Sequence, residues 1–304
     1  MLTIFSTPKP FAGHIDLIQR NAIQSWKRLD RDVEIILVGD DMGTAEVCRE
    51  MGLRYIAQVQ RNQHGTKYLA SIYDQAQNAA QHETLCHVNC DIILLSDFID
   101  AVRRVRAAHQ RFLMAGQRWD VDLREHIDFL EAGWEAKLRK LARETGRRRP
   151  PQWIDYFVFR KGLFYGTIPE FVIGRPGWDN WLLWYPRSID VPVIDASRVV
   201  MAIHQNHDYA YHPEGEKGVW EGEEAQQNYR LHEGKYATLG NATYVLTPRG
   251  LRPNFKDVFV RGKRKAAPAF YRVWFALLNL TRPIRARLGL RSALPATKTG
   301  QQQK

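Results

Sequence analysis

Apolar positions in the first 110 residues switch repeatedly between strand-like runs and helical spacing. Leu2 to Ser6 is a short apolar run, and Thr7-Pro8-Lys9-Pro10 after it can continue neither strand nor helix. From His14 onward Ile15, Leu17, Ile18, Ala22, Ile23, Trp26 and Leu29 recur at helical spacing. Val33 to Val38, rich in β-branched residues, predicts a second strand ending in Gly39-Asp40-Asp41, with a short helix from Thr44 to Met51. A third strand is predicted over Leu53 to Val59 and a helix over Thr66 to Ala80, separated by the polar stretch Arg61-Asn62-Gln63-His64-Gly65. Leu85 to Leu95 is an apolar run long enough for one buried strand, with Asp91 set in its middle, and a helix from Ser96 to about His109 follows. Strands alternating with helices across short loops predict a parallel sheet covered on both faces.

Phe112 to Ala115 predicts a fifth strand. The polar stretch Asp122 to Arg149 has helical Leu and Trp spacing and reads as an insertion, its basic end Arg147-Arg148-Arg149-Pro150-Pro151 as a solvated face or linker. Trp153 to Trp184 is dense in aromatics. Val191 to Ile194 and Val199 to Ile203 predict two more strands, the second leading into His204-Gln205-Asn206-His207-Asp208-Tyr209. No internal repeat is visible. From Pro268 on, Phe270, Tyr271, Val273, Trp274, Phe275, Leu277, Leu278 and Leu280 form an apolar segment followed by Arg282, Arg285, Arg287 and Arg291. It is too short to span a bilayer but aromatic and basic enough to lie at its surface. Ala296 to Lys304 is polar and expected to be disordered.

The net charge of +11 changes this picture only once it is located. From Arg249 to Lys304 there are 14 Lys and Arg against the single acid Asp257, leaving 30 basic and 32 acidic residues before it. A nearly neutral body with a basic appendage argues for contact with an anionic surface and against a nucleic-acid groove through the core. The three cysteines, Cys48, Cys86 and Cys90, form no disulfide framework and lack the spacing of a zinc site, so they read as reduced core residues. With no membrane-length apolar stretch and no basic leader before Phe5, a cytoplasmic chain is expected.

An unpaired buried carboxylate is costly, so the run around Asp91 should open there, where the charge meets solvent, a cation or a basic partner. In open α/β sheets ligands bind beyond the carboxyl ends of strands. Asp40 falls at the same edge after a different strand. Either the two acids share one site, or Asp91 caps the turn that follows it.

Taken in order, four pieces resemble the nucleotide-diphospho-sugar glycosyltransferases of GT-A fold, closest to the family 2 type, over Leu2 to about Tyr211. They are Phe5-Ser6-Thr7-Pro8 after the first strand, Val38-Gly39-Asp40-Asp41 after the second, Asn89-Cys90-Asp91 where Asp-x-Asp would stand, and Trp178-Asp179 before a helix. The resemblance implies a Rossmann-like, mostly parallel sheet with helices on both faces, in a domain over residues 1–250 with a helical insertion at about 120–150. Residues 251–304 then form a basic, partly helical amphipathic tail, disordered at its end. The implied activity is inverting transfer from a nucleotide-sugar donor to a hydroxyl on a glycan, lipid-linked or other acceptor.

On this resemblance Ser6, Thr7, Asp40, Lys67, Asn89 and Asp91 face the donor. Asp91 is the first ligand for a divalent metal, Mn2+ or Mg2+, which would neutralise the charge concentrated on the departing diphosphate. Asp40 would accept from the base or ribose. Lys67, one turn into its helix, either meets the diphosphate as a point charge or stays a solvated lysine. Asn89 departs from the pattern: its amide oxygen can coordinate, but one negative charge is gone and a strict metal requirement is weakened. His204 and His207 either complete the metal shell from a late loop or are hydrogen-bonded core residues.

Asp179 follows Gly174, Pro176 and Gly177 and is flanked by Trp178 and Trp181. Desolvation by indoles raises a carboxyl pKa toward a value useful for taking a hydroxyl proton, whereas the alternative is a helix cap. Trp153, Tyr156, Trp178 and Trp181 would wall the acceptor by stacking, or else serve the core. Two other functions compete. One is an inactive sugar-nucleotide-binding or scaffold protein whose tail meets membrane or nucleic acid; the other is a metal hydrolase built on His204, His207 and Asp208. Residues 268–291 are expected either to contact the inner membrane face peripherally or to pack as a helix on the body.

Overall fold

Residues 1–208 and 214–255 are described by the computed structural model of the chain. Strand β1 (Leu2–Ser6) is buried along its length and sends Leu2 and Ile4 to one face of the sheet and Phe5 to the other, as the two-residue period of a strand requires. Then come α1 (Gly13–Trp26), β2 (Val33–Val38), α2 (Thr44–Met51), β3 (Arg54–Ile56), α3 (Leu69–Ala79), β4 (Thr84–Val88), β5 (Ile92–Ile93) and α4 (Ser96–Ala108). The chain continues through β6 (Leu113–Val121), α5 (Trp134–Glu144), β7 (Arg147–Arg148), β8 (Ile154–Arg160), α6 (Trp178–Ser188), β9 (Val193–Asp195) and β10 (Ala202–Gln205). The described residues end with α7 (Gly215–Glu221), α8 (Glu223–His232), β11 (Tyr244–Thr247) and β12 (Gly250–Pro253).

Nine of the twelve strands among the described residues follow the order β12-β11-β9-β6-β8-β4-β1-β2-β3; β10 and β7 branch from β6, and β5 pairs with β10. The run β4-β1-β2-β3 is parallel, β8 enters antiparallel between β4 and β6, and β6-β9-β11 is parallel again. Helices α1, α2 and α4 cover one face and α3 and α6 the other. The α/β architecture implied by the GT-A resemblance, with helices on both faces of the sheet, is present. Under α3, the fully buried rings of Phe5, Tyr73, Phe159 and Phe164 meet edge-to-face or stacked, with neighbouring centroids 5.0–6.2 Å apart. Removing one such side chain from water contributes about 1.5–3 kcal/mol.

Several sequence expectations are corrected. The run from Leu85 to Leu95 is not one strand: β4 stops at Val88 and β5 begins at Ile92, because β4 pairs with β1 and β8 while β5 turns to pair with β10. The helix expected from Thr66 starts at Leu69, since Lys67 bridges back to Arg61 and the Tyr68 N–H donates to Gln60 O at 2.9 Å. The third strand shrinks to Arg54–Ile56. Of the two expectations for the basic end, a solvated face or a linker, the linker is overturned: Arg147–Arg148 is β7, exposed but paired with β6, and Arg149 lies over the Trp153 ring at 4.1 Å. The sheet runs past residue 250 through β12. The amphipathic segment 268–291 lies outside the described residues. Cys48, Cys86 and Cys90 are buried free thiols.

Candidate active site

Parallel pairing brings the carboxyl ends of β1, β2 and β4 to one edge of the sheet, and antiparallel β8 begins there. Loops beyond this edge line a cleft of about 1100 Å³.

The first arm follows β1. Ser6 does not reach the cleft: its buried hydroxyl donates to Val88 O at 2.6 Å and ties β1 to β4. Thr7 and Lys9 do reach it. Gln19 of α1 fixes this loop by accepting from Lys9 N at 2.7 Å and donating to Lys9 O at 2.9 Å.

The second arm follows β2 and corrects two expectations. Asp40 is exposed and pairs with Arg61, whereas its neighbour Asp41 turns into the cleft and pairs with Lys67. Lys67 is no solvated helix lysine. Its buried ammonium donates to Thr7 Oγ1 at 2.8 Å and to Pro8 O at 3.0 Å, and burial lowers its pKa against the pull of Asp41. Gly39 makes this approach feasible: at φ +122° it sits so close that a Cβ would stand 2.9 Å from both Lys67 Nζ and Asp41 Oδ2.

Asp91 lies in the third arm. Register places His204 of β10 opposite Ile92 of β5 and alongside Asp120 of β6, so the imidazole lands beside Asp91. His207 Nε2 stands 3.2 Å and His204 Nε2 3.9 Å from Asp91 Oδ2, and one ligand atom from each of the three residues lies within 4.8 Å of the others. Lys9 Nζ is 2.9 Å from His207 Nε2 and 4.0 Å from Asp91 Oδ2. Burial works to raise the Asp91 pKa, but His204, His207 and Lys9 together hold its carboxyl well below the usual carboxylate range. Its Oδ1 is buried with no hydrogen-bond partner among the described residues. One carboxylate, two imidazoles and an unused carboxylate oxygen fit a divalent cation. Behind His204, Asp120 Oδ1 lies 3.4 Å from Nδ1, the backing that orients ligating histidines.

Asn89 sits across the strand pair from Asp155, one step beyond the Val88–Tyr156 register. Its Nδ2 donates to Asp155 Oδ1 at 2.6 Å, and its backbone N–H donates to Asp155 O at 3.0 Å. Arg118 bridges the buried Asp155, at 2.8 Å, to Asp120, also at 2.8 Å. Arg118 further covers one ring of Trp153 at 4.9 Å.

Asp179 stands in the first turn of α6, after the N-cap Gly177 in left-handed backbone. Burial pushes its carboxyl up to about 7; the backbone N–H groups at the helix start oppose this, and the charge of Asp155 adds to it. Burial, with a smaller contribution from the Asp179 charge, raises the pKa values of Tyr229 and Tyr236, which line the same cleft. Trp153 and Trp178 also line it, with Trp220 of α7 at 5.5 Å from Trp153. Tyr156 and Trp181 do not. Tyr156 is buried on β8 with its hydroxyl against Gly116, and Trp181 stacks on Tyr185 at 5.0 Å inside the core. Glu224 of α8 closes the rim, accepting from Asn62 at 2.6 Å and from Arg175 at 2.5 Å.

The structure therefore gathers Thr7, Lys67, Asn89, Asp91, Trp153, Trp178, Asp179, His204 and His207 at one cleft and leaves Ser6, Asp40, Tyr156 and Trp181 off its lining. Sequence reasoning missed Lys9, Asp41, Arg118, Asp120, Asp155 and Glu224. Only Asp41 carried a local signal, as the second acid of Gly39-Asp40-Asp41.

No family model matches the chain, and no curated protein matches it. Among solved structures it is similar to S. aureus TarS (14% identity, 67% of this chain and 36% of that one, TM-score 0.45). It is also similar to Mycobacterium tuberculosis glucosyl-3-phosphoglycerate synthase in complex with Mn2+, uridine diphosphate and glucosyl-3-phosphoglycerate (12% identity, 78% and 80%, TM-score 0.47). A third is the 4-diphosphocytidyl-2C-methyl-D-erythritol synthase of Anaerococcus prevotii DSM 20548 (12% identity, 65% and 88%, TM-score 0.40). The chain spans 36% to 57% of the TarS chains it matches. At these identities and scores the likenesses carry no chemistry to this chain.

Proposed function

We propose that the chain transfers a sugar from a nucleoside-diphosphate sugar to an acceptor hydroxyl with inversion. One observation carries the proposal: a single cleft at the carboxyl edge of the sheet holds both a carboxylate–imidazole triad and a separate carboxyl whose pKa is raised to about 7. Asp179 takes the proton of the acceptor hydroxyl. That oxygen attacks the anomeric carbon from the face opposite the diphosphate, whose bond to the sugar breaks as the diphosphate leaves with the electron pair. Asp91, His204 and His207 would hold a divalent cation, Mn2+ or Mg2+, which when bound neutralises charge on the leaving diphosphate. Lys67, fixed by Asp41 and Thr7, presents a desolvated cation at the donor side, and Trp153, Tyr229 and Tyr236 offer faces to a sugar acceptor.

A thermal-shift panel of nucleoside diphosphates and nucleotide sugars, with and without MnCl2, tests this. Binding to the folded chain raises its melting temperature. No shift with any of them would sink the donor-site assignment. A second reading, transfer or binding without metal, draws on Lys9, whose ammonium already stands beside Asp91 and His207. It predicts equal shifts with and without MnCl2. The basic C-terminal segment is proposed to bring the body to an anionic membrane surface.

A further inference from the structure

The position that the GT-A resemblance fills with an acid carries Asn89, and the lost charge reappears across the strand pair. We infer that Asp155 is the displaced partner of Asn89: it fixes the amide so that Asn89 Oδ1 is the atom left to serve the cation of the donor diphosphate. This rests on the donor-site reading above and deepens it.

The argument from chemistry is short. A carboxylate only accepts hydrogen bonds, so the atom of Asn89 that meets Asp155 Oδ1 at 2.6 Å must be the nitrogen. The amide oxygen is then directed away from Asp155, and Asn89 is among the residues lining the cleft. Without Asp155 the amide could turn either way, and half of its orientations would offer a donor where an acceptor is needed. Asp155 is itself held. Its second oxygen binds Arg118 at 2.8 Å, Arg118 binds Asp120, and Asp120 backs His204. One buried chain thus sets both flanks of Asp91, the Asn89 side and the His204 side. Asp155 is a positioning residue, acting through Asn89 and Arg118.

This arrangement makes a distinctive prediction about restoring the acid. Asn89→Asp places a second carboxylate against Asp155, so like charges repel in a buried contact, and the substitution should harm the site. Exchanging the pair, Asn89→Asp with Asp155→Asn, rebuilds one amide-to-carboxylate hydrogen bond with the charge on the other strand. The test uses full-length protein and calorimetry with whichever of uridine, guanosine, cytidine or adenosine diphosphate binds the wild type tightest, with and without MnCl2. Partners that orient a site's ligating groups are typically worth about 10- to 100-fold in affinity. Asn89→Asp and Asp155→Asn should each weaken binding at least about tenfold, and the exchanged pair should recover most of that loss. Asn89→Ala leaves the Asp155–Arg118 pair intact and serves if Asp155→Asn fails to fold; it too should lose about tenfold, with an unchanged melting temperature.

The inference is overturned if Asn89→Asp binds as well as the wild type, if the exchanged pair is no better than Asn89→Asp alone, or if Asn89→Ala binds normally. A wild type that binds none of the four diphosphates overturns the donor-site reading itself. Wild-type binding with no recovery in the exchanged pair overturns only the role of Asp155.

Discussion

At the scale of single residues the most informative group is Asp179, because its raised pKa has opposite consequences for activity and stability. As a base it must be ionised, so kcat/KM should rise with pH through an ascending limb near 7 and then level off. Asp179→Asn should keep donor affinity while kcat falls at least about a hundredfold. Stability runs the other way. A carboxyl whose folded-state pKa lies above its ordinary 3.8 favours the folded chain below that ordinary value, and this contribution is lost as pH rises toward 7. Asp179→Asn should therefore unfold at higher denaturant than the wild type at pH 8 but not at pH 4. Equal midpoints at both pH values, or near-normal turnover, would return Asp179 to a structural role at the start of α6. Asp91→Ala should remove the dependence of nucleotide affinity on MnCl2 in calorimetry, with affinity at least about tenfold lower than the metal-loaded wild type. The sequence made Asp91 and Asp179 legible because a charge inside an apolar run, or behind Gly-Pro-Gly punctuation, has few bland explanations. It did not separate Asp40 from Asp41, since which of two adjacent acids turns inward depends on Lys67, 26 positions further on.

At the scale of elements, the order of strands and helices through β4 was legible from periodicity, and so was the edge at which their loops meet, whereas the break between β4 and β5 was not. The antiparallel entry of β8 was not. Nothing in Ile154–Arg160 announces which strands it will separate, and that pairing alone brings Asp155 to Asn89 and turns Tyr156 into the core. Helix α8 was equally hidden, being polar and far from the motifs. Its Glu224 nevertheless ties the loop that carries Lys67 to the loop that precedes Asp179, through Asn62 and Arg175. Both charges of the Glu224–Arg175 pair are nearly enclosed. Glu224→Ala leaves a buried guanidinium without its carboxylate and should lower unfolding free energy by about 3 kcal/mol in urea titrations. Glu224→Gln, whose single amide oxygen can still accept from Arg175 but not from Asn62 as well, should lose less. A loss below about 0.5 kcal/mol for the alanine variant would place the pair among surface bridges that contribute little.

For the whole molecule the decisive quantity is where the charge lies. Residues 1–257, which form one compact unit, carry 33 Lys and Arg and 33 Asp and Glu, whereas residues 258–304 carry 11 Lys and Arg and no acid. No helix among the described residues is long and apolar enough to cross a membrane. With the body neutral overall, the net positive charge that would draw the chain to an anionic bilayer lies in the C-terminal segment. Each basic residue near an anionic leaflet contributes about 1 kcal/mol, and a handful acting together suffices for measurable binding. Because this attraction is screened over about 8 Å at physiological ionic strength, it should weaken steeply with added salt. Full-length chain should therefore co-sediment with phosphatidylserine vesicles at low salt and release at about 0.5 M NaCl. A chain ending at Asp257 should stay in the supernatant while keeping its melting temperature and nucleotide affinity. Vesicle binding that survives the truncation would move the contact to the body, and a lost melting transition would show that the segment serves the fold.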